Sequence, residues 1–249
     1  FCVAAIFILC IFSIPSLRTT LVSQWLMKIM KALKLMPTIS ATERVALEAG
    51  VVWMEKELFS GRPNFHKMLS QPYHELSAEE QHFLDHEVQQ LCAMLDDYKL
   101  FRTRQMPTEV WQFIRSKKFL GLIIPKKYGG LEFSHSAHSA ILQKISSHSI
   151  AAVIYVMVPN SLGPAELLLR YGTEAQRQKY LPRLAVGDEI PCFALTSEEA
   201  GSDAGAMIDE GVICEDDFEG KKTIGIRLNW NKRYITLAPI ATVLGLAFK

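Results

Sequence analysis

The stretch Phe193-Ala-Leu-Thr-Ser-Glu-Glu-Ala-Gly-Ser-Asp203 decides how this 249-residue chain is interpreted, together with Lys232-Arg-Tyr-Ile-Thr236 further along. The segment Ala200-Gly-Ser-Asp203 alone predicts no more than a turn, because glycine, serine and aspartate all favour turns. The context is more specific, since Thr196 closes a predicted strand before this turn and Thr236 lies on a later predicted strand. Together the two segments indicate a binding site at strand ends.

Helical periodicity dominates the chain from residue 40 to about Gly187. Two capping boxes, Ser40-Ala-Thr-Glu43 and Ser77-Ala-Glu-Glu80, predict helix starts, because each hydroxyl and each carboxylate can bond a free amide of the first turn. The predicted helices cover residues 40–59, 77–101, 134–149, 151–157, 162–171 and 174–181, with one more from Thr108 onward. The helix over 77–101 should bury a stripe made of Phe83, Val88, Leu91, Cys92, Leu95 and Tyr98. Short connections between these helices are typical of a bundle.

Short apolar runs replace the helical period after Gly187. They cover residues 190–196, 211–214, 223–229 and 234–238, and turn-forming glycines separate them. This spacing predicts the start of a β domain, in which the apolar residues from Val243 to Phe248 remain unpaired at a sheet edge. We therefore expect an α+β chain with three parts: a membrane-associating segment at 1–39, a helical domain at 40–187, and the start of a β domain at 188–249.

Further motifs around these segments resemble the acyl-CoA dehydrogenase family, in the order that the family has them. They are Pro125-Lys-Lys-Tyr-Gly-Gly130, Asn160-Ser-Leu-Gly163, Tyr171-Gly-Thr-Glu-Ala-Gln176 and Lys179-Tyr-Leu-Pro182. The resemblance is closest to the long-chain, membrane-associated bacterial type. It implies the N-terminal helical bundle of the family and the start of its middle β domain, with the C-terminal helical domain absent from this chain. Ser197 and Glu198 stand where the family commonly has Glu and Pro, although the long bacterial type shares the serine.

The resemblance implies an FAD site formed by both motif segments. Thr196 and Thr236 would donate hydroxyl hydrogen bonds to the isoalloxazine ring, with backbone amides of the first segment at its pyrimidine edge. Tyr234 occupies a position where the family commonly has tryptophan against the flavin. Ser202 would approach both the flavin pyrophosphate and the acyl-CoA substrate, while Asp203 would brace the turn. The expected cofactor-binding residues are Phe193, Ala194, Leu195, Thr196, Gly201, Ser202, Tyr234, Ile235 and Thr236.

The resemblance also implies a reaction, the α,β-dehydrogenation of a long-chain fatty acyl-CoA to a trans-2-enoyl-CoA, which begins fatty acid β-oxidation. A carboxylate base removes the α-proton, and the β-hydrogen leaves as hydride to the flavin. We expect this base, a Glu, beyond Lys249, so no catalytic residue is named and the chain alone is expected to be an inactive fragment. In the family the helix around Met157 lines the acyl cavity, and Val158 there suits a deep pocket.

Expected partners are the fatty acyl-CoA substrate, an electron-transfer flavoprotein as electron acceptor, and further copies of the chain. Two other functions remain open. A non-catalytic flavin- or acyl-CoA-binding scaffold would lack the base, and an acyl-CoA oxidase would share the fold but admit oxygen to the reduced flavin. The sequence downstream of Lys249, read for the base, would separate the scaffold from the enzymes.

Composition argues against nucleic-acid and metal sites. The net charge is +1 and no cluster of lysines and arginines is interleaved with aromatics, so we expect no nucleic-acid binding. The five cysteines lack CxxC spacing and predict free thiols in a reducing compartment, with Cys192 as a buried apolar residue. His135, His138 and His148 contain no i, i+4 pair, and we expect solvated helix residues instead of metal ligands.

The first residues predict membrane association. The opening run is almost wholly apolar, although it is shorter than the roughly twenty residues that cross a bilayer. Arg18, Lys28, Lys31 and Lys34 follow before any acidic residue, which favours the cytoplasmic face of the bacterial inner membrane. Residues 21–36 have the pattern of an interfacial amphipathic helix. The alternatives are a buried helix and a cleaved signal peptide, although a signal peptide has its basic residues before the apolar run.

Overall fold

Helices dominate the chain before Val186 and strands follow it, in a computed structural model that describes residues 1–36, 39, 44–45, 48–50, 54–72, 74–161 and 163–249. The described residues form two compact units, Phe1–Lys56 and Glu57–Lys249. The first predicted capping box, at 40–43, lies outside the described residues. So does residue 162, where another helix was predicted to begin.

The first unit contains helices that join through a sharp bend. Helix α1 covers Cys2–Ser13, α2 covers Pro15–Arg18, and a π-helical turn at Thr19–Ser23 leads into α3 at Gln24–Ala32. Ile14 has an extended backbone, and the proline after it begins α2, where a missing amide costs nothing. The α1 helix and the segment that ends with α3 are bent by 86°. Neither α1 nor α3, both fully described, has a buried residue.

Among the described residues, one helical stretch is long and apolar enough to cross a membrane, Ile150–Tyr171. It lies in the second unit, and nearly half of it is buried inside the protein. Helix α1 and Pro15–Ala32 would be a second candidate if the bent pair is counted as one span. Both meet the requirement by length and composition only.

The helices of the second unit from Ala78 onward pack around an apolar core and a smaller apolar cluster. The helix at Glu55–Leu58 crosses the boundary between the two units. The remaining helices are α4 at Glu55–Leu58, α5 at Phe65–Leu69, α6 at Ala78–Asp85, α7 at Glu87–Met94, α8 at Asp97–Thr103, α9 at Thr108–Ser116, α10 at His135–Ser146, α11 at Ile150–Asn160, α12 at Pro164–Tyr171 and α13 at Glu174–Val186. Fully buried Leu91 of α7, Ile114 of α9 and Ile141 of α10 belong to this core. Burial of one such side chain contributes roughly 1.5–3 kcal/mol, so the core fixes the helices that precede the strands.

The helix predicted over 77–101 begins as expected, but its predicted length is wrong. Ser77 Oγ accepts from the Glu80 N–H at 3.3 Å, and the Glu80 carboxylate accepts from the Ser77 N–H at 2.8 Å, which confirms the capping box. The chain then divides into α6, α7 and α8. Asp96 starts α8 by accepting a hydrogen bond from a first-turn amide at 2.9 Å. The new direction leaves Tyr98, predicted to be buried, 74% exposed.

Four short strands follow α13 and form separate pairs. Strands β1 at Pro191–Ala194 and β4 at Val243–Leu246 pair in parallel, whereas β2 at Glu210–Phe218 and β3 at Lys221–Asn229 form an antiparallel hairpin. The hairpin turns through two residues with φ angles of 53° and 78°, as a two-residue hairpin loop requires. A helical domain followed by short strands confirms the predicted α+β class.

The prediction of a strand at 234–238 is wrong. Tyr234 and Leu237 have φ angles of 57° and 65°, outside the range of any strand, and a 3₁₀ turn at Ala238–Ile240 follows. The strand lies further along, at β4, whose residues were predicted to remain unpaired. Val243 pairs with Pro191, and the register continues to the end of β4. A short apolar run can therefore have strand composition without strand geometry.

Candidate functional site

The first motif segment leaves β1 with a fixed backbone. Phe193 and Ala194 end β1, and Leu195 and Thr196 follow directly. The Ala194 carbonyl accepts a hydrogen bond from the Ala247 N–H at 3.1 Å, and the Leu195 N–H donates to the Phe193 carbonyl at 3.2 Å. Pairing with β4 and with Ala247 therefore fixes the backbone of the predicted cofactor-binding residues at the end of β1.

The second motif segment lies beside the first. The Arg233 N–H donates to the Thr196 carbonyl at 3.0 Å, and the Lys232 Nζ donates to the Leu195 carbonyl at 3.0 Å. Successive carbonyls of one segment thus accept from successive residues of the other. The structure brings together the two stretches that the sequence assigned to one site.

The loop after the first segment is organised by Ser197, one of the two residues that depart from the common family sequence. Ser197 is buried, its N–H donates to the Ala200 carbonyl at 3.0 Å, and its Oγ accepts from the Ala200 N–H at 3.2 Å. These bonds close a tight turn that leaves Gly201 and Ser202 exposed. Asp203 then braces a 3₁₀ turn through its main-chain carbonyl, which accepts from a following amide at 3.1 Å. Sequence reasoning missed the turn of Ser197, although serine at its first position was a signal for it.

Tyr234 takes a backbone conformation that a strand would not allow. Its φ of 57° lies in the left-handed region, which costs a non-glycine residue roughly 1–2 kcal/mol, and the residue is 82% exposed. The Arg233 guanidinium lies 5.2 Å from the centre of the Tyr234 ring, within range of a cation–π contact. Ile235 is half-buried and Thr236 is exposed. An aromatic ring and a hydroxyl group are therefore accessible on this segment.

A buried ion pair connects the two segments to the start of the hairpin. The side chains of Lys232 and Asp209 are 0% and 3% exposed, and their charged groups are in contact. Asp209 also accepts from the Asn231 N–H at 2.9 Å. The hydrogen bond from Lys232, followed by that from Asn231, lowers the pKa of the Asp209 carboxyl below its usual value. Sequence reasoning missed this pair, because nothing in the local pattern marks Asp209 as the partner of a distant lysine.

Hydrogen-bond donors remain available on both segments. The carbonyls of Ala194, Leu195 and Thr196 all accept hydrogen bonds from the protein. Within the described part of the chain, by contrast, the Thr196 N–H and the hydroxyls of Thr196 and Thr236 have no partner. The pyrimidine end of an isoalloxazine ring carries oxygen and nitrogen acceptors that need donors. The groups present therefore fit a flavin ring.

An open groove of about 580 Å³ lies beside the β1–β4 pair. Leu167, Leu168 and Tyr171 of α12 line it, together with Phe193 and residues of β4. Its volume is within the range of small-molecule sites. Of the predicted cofactor residues, Phe193 lines this groove, whereas Met157 and Val158, expected to line an acyl cavity, do not.

The predicted solvation of the histidines is wrong for His138. Its Nε2 is buried and has no hydrogen-bond partner among the described residues, and burial lowers its pKa, with a further contribution from the charge of His135. His135 and His148 are exposed. Cys192 is buried as predicted, and burial raises the pKa of its thiol. No group of three or more His, Cys, Asp or Glu side chains in the described residues could hold a metal ion.

Comparison with known proteins identifies the helical part of the chain. Residues 71–188 match the profile of the acyl-CoA dehydrogenase N-terminal domain. These residues, just under half of the chain, are similar to the N-terminal domain of acyl-CoA dehydrogenases. They include helices α6 to α13, and the motif segments of the candidate site follow this domain directly. The match agrees with the family that the sequence motifs resemble.

Curated relatives match part of the chain and a smaller part of their own length. The 3-(aryl)acrylate reductase of Clostridium sporogenes is 36% identical over 159 residues, which are 64% of this chain and 38% of that protein. The mitochondrial 2-methylacyl-CoA dehydrogenase of Solanum tuberosum is 34% identical over 149 residues, 59% of this chain and 34% of that protein. Subunit CarC of the caffeyl-CoA reductase–Etf complex of Acetobacterium woodii is 35% identical over 136 residues, 55% of this chain and 34% of that protein. The chain therefore spans less than two fifths of the length of these relatives.

Solved structures match a larger share of the chain than the family profile does. PigA with FAD and proline superposes with a TM-score of 0.59 at 23% identity, over 70% of this chain and 44% of that chain. The glutaryl-coenzyme A dehydrogenase in complex with glutaryl-CoA superposes with a TM-score of 0.58 at 26% identity, over 70% of this chain and 43% of that chain. The first likeness concerns the fold alone. The second adds a named acyl-CoA dehydrogenase of the same architecture.

Proposed function

We propose that the protein that carries this domain is an FAD-dependent acyl-CoA dehydrogenase, which converts a fatty acyl-CoA into a trans-2-enoyl-CoA. The observation that carries the proposal is the contact between the segments 193–203 and 232–236, each of which has hydrogen-bond donors without a partner among the described residues. The 34% identity to a 2-methylacyl-CoA dehydrogenase supports the reaction class. We further propose a preference for long acyl chains, which is supported by the resemblance of the motifs to the long-chain bacterial type.

The residues of this chain would bind and orient the flavin. Thr196 would donate its N–H and its hydroxyl to the ring, and Thr236 would donate a second hydroxyl. Ser202, exposed beside a glycine, would approach the pyrophosphate and the thioester part of the substrate, where backbone amides can come close to phosphate. The exposed ring of Tyr234 would cover part of one flavin face. When bound, FAD would accept the hydrogen from the substrate β-carbon as hydride.

The base that removes the α-proton is assigned to no residue of this chain. Glu80 and Glu174 are each held by structural hydrogen bonds, Glu80 to the amides of Ser77 and Ser134 and Glu174 to the Tyr128 hydroxyl at 3.0 Å. Both carboxylates are therefore engaged within the helical part of the chain. We propose that the base is a Glu outside residues 1–249, in keeping with the family pattern.

Reduction of an enoyl thioester is a second candidate function. Two relatives, the 3-(aryl)acrylate reductase and the caffeyl-CoA reductase subunit, are named for reduction of a substrate. The same flavin would serve either direction, because hydride transfer between a β-carbon and a flavin is reversible in principle. The direction then depends on the electron partner and the substrate.

Partners and location belong to the same proposal. We propose an electron-transfer flavoprotein as electron acceptor, supported by the Etf complex to which the Acetobacterium woodii relative belongs. We also propose self-association into a homo-oligomer.

We also propose that residues 1–36 hold the protein at the cytoplasmic face of the bacterial inner membrane. The exposed apolar surface of α1 and the basic residues that follow it support this location.

A spectroscopic titration of the intact gene product tests the proposed reaction. The purified protein should carry FAD, and anaerobic addition of a long-chain acyl-CoA should bleach the flavin and yield a trans-2-enoyl-CoA. A folded protein that takes up no FAD overturns the proposal. Bound flavin that no acyl-CoA bleaches identifies a scaffold, and hydrogen peroxide formed on admission of air identifies an oxidase. Reoxidation by an enoyl-CoA without any forward reaction identifies a reductase.

A further inference from the structure

The ammonium group of Lys232 is buried and bonded to two oxygen acceptors. Its side chain is 0% exposed, and it donates to the Asp209 carboxylate and to the Leu195 carbonyl, the latter at 3.0 Å. Removing charges from water costs free energy, so a buried ion pair often adds no more stability than well-packed apolar residues of similar volume. Stability alone is therefore a weak reason for a charge at this position.

The Leu195 carbonyl belongs to the same planar peptide unit as the Thr196 N–H. A hydrogen bond from an ammonium group draws electron density toward the carbonyl oxygen, which makes the N–H of that unit a stronger donor. The next peptide is held as well, because the Thr196 carbonyl accepts from the Arg233 N–H at 3.0 Å. The Thr196 N–H is thus held in direction and polarised, while no group of the described chain accepts from it.

We propose that Lys232 is a positioning residue for the flavin and acts through the Leu195–Thr196 peptide. It holds the Thr196 N–H in place as a donor and strengthens that donor by polarising its peptide. The inference rests on the proposed function, because it requires flavin at the two motif segments. Negative charge collects at the pyrimidine end of the ring on reduction, so a stronger donor there favours reduced over oxidised flavin.

Asp209 provides a control that separates charge from structure. Its carboxylate opposes part of the Lys232 charge and also accepts from the Asn231 N–H at 2.9 Å. An asparagine at this position removes the opposing charge and keeps one carbonyl oxygen. Because the two donors bind different carboxylate oxygens, only one of them then retains an oxygen acceptor. If Lys232 acts by charge, Asp209→Asn leaves the preference for reduced flavin equal or greater, whereas Lys232→Met lowers it. If the ion pair has only a structural role, both variants change the preference for reduced flavin in the same direction.

The test measures the flavin midpoint potential and the FAD dissociation constant of the intact gene product. The variants are Lys232→Met, Asp209→Asn and the double variant, which removes both charges and leaves no unpaired buried ion. We expect Lys232→Met and the double variant to lose about tenfold in affinity for reduced relative to oxidised flavin. This corresponds to a midpoint potential about 30 mV lower for a two-electron couple.

An unchanged potential in the folded double variant overturns the inference, and so does an equal fall in Asp209→Asn. A lower midpoint potential in folded Lys232→Met confirms the inference. If Lys232→Met does not fold, the potential of the double variant decides the outcome. A wild-type protein that binds no flavin overturns the proposed function instead. The two failures are therefore distinguished by the wild-type control.

Discussion

Glu80 joins the N-terminus of α6 to that of α10, because its Oε1 accepts a hydrogen bond from the Ser134 N–H at 2.6 Å. Its Oε2 accepts from the Ser77 N–H at 2.8 Å, so one carboxylate satisfies free amides of two helices. Burial raises the pKa of this carboxyl, but hydrogen bonds from Ser134 and Ser77 outweigh burial and lower the pKa to about 2. The capping box in the sequence is therefore also a tertiary contact.

Replacing Glu80 by glutamine should destabilise the protein by about 1–3 kcal/mol at neutral pH, because an ionised acceptor is lost from a buried site. The folded pKa of about 2 lies below the ordinary value of 4.5. The ionised carboxylate therefore makes its full contribution to the free energy of unfolding above about pH 4.5, and this contribution is lost as the pH falls toward 2. Denaturant unfolding of wild type and Glu80→Gln between these pH values measures the difference, which should shrink on acidification.

Glu79→Gln is the matched control for that experiment. Glu79 is the preceding residue, but its side chain is 58% exposed and contacts Lys126 at 2.7 Å on the surface. Exposed ion pairs contribute little, so this variant should lose much less stability than Glu80→Gln. Equal losses of stability in Glu79→Gln and Glu80→Gln would show that the hydrogen bonds from α6 to α10 stabilise the protein no more than a surface ion pair does.

Gly130 should not tolerate alanine, because a Cβ atom there would lie 2.0 Å from the carbonyl oxygen of Ile124. Relief of such a contact requires the backbone to move, and we expect a loss of about 1–3 kcal/mol in the free energy of unfolding. Gly225→Ala is the control, since a Cβ at Gly225 meets nothing within 4 Å. If the two variants unfold at the same denaturant concentration, the close approach at Gly130 is refuted.

Thr196→Val tests the predicted flavin contact without a change in side-chain size. Loss of one hydroxyl donor should weaken FAD binding by about 0.5–1.5 kcal/mol, or more if a ring acceptor is left buried and unpaired. Thr223→Val is the control, because Thr223 lies on β3 and its hydroxyl donates to the Lys221 carbonyl at 3.1 Å. Fluorescence titration of the apoprotein with FAD gives both dissociation constants. Equal constants would remove Thr196 from the flavin site.

Local chemistry explains which parts of the fold the sequence could predict. In the motif that begins at Pro125, Gly129 has a φ of 86° and Gly130 makes a close approach that leaves no room for a side chain. In the motif around Thr173, the hydroxyl and the Gln176 side chain form a reciprocal cap at the start of α13. Each requirement is met within a few residues, so the sequence alone carries the signal.

Contacts between distant residues explain what the sequence could not predict. Asn160 donates to the carbonyls of Phe119 and Val156 at 2.6 and 2.8 Å, which ties α11 to a turn far away in the chain. The pairing of Lys232 with Asp209 is of the same kind. The segment after Tyr234 has strand-forming composition, but its left-handed residues move the strand to β4. Tertiary context overrides propensity in such short runs.

Helix α3 carries the groups that an anionic membrane surface would contact. Trp25 is 62% exposed, and the Lys28 Nζ lies 5.2 Å from the centre of its ring. Lys31 and Lys34 follow on the same short stretch, and no acidic residue occurs in the first unit before residue 43. Helix α1 adds exposed apolar side chains, among them Phe7 at 65% exposure. A surface of this composition is typical of interfacial helices.

Binding of the intact gene product to lipid vesicles should therefore depend on both charge and apolar contact. Each basic residue near an anionic surface contributes about fivefold to binding, so a variant with Lys28, Lys31 and Lys34 all changed to glutamine should bind anionic vesicles far more weakly at low salt. The apolar contribution of α1 should resist high salt, which screens the charges. Changing three exposed lysines of the second unit, Lys179, Lys221 and Lys222, to glutamine controls for net charge and should have a smaller effect. If the wild-type protein stays in the supernatant with anionic vesicles at low salt, membrane association is refuted and the first unit is better explained as a helix that packs against protein.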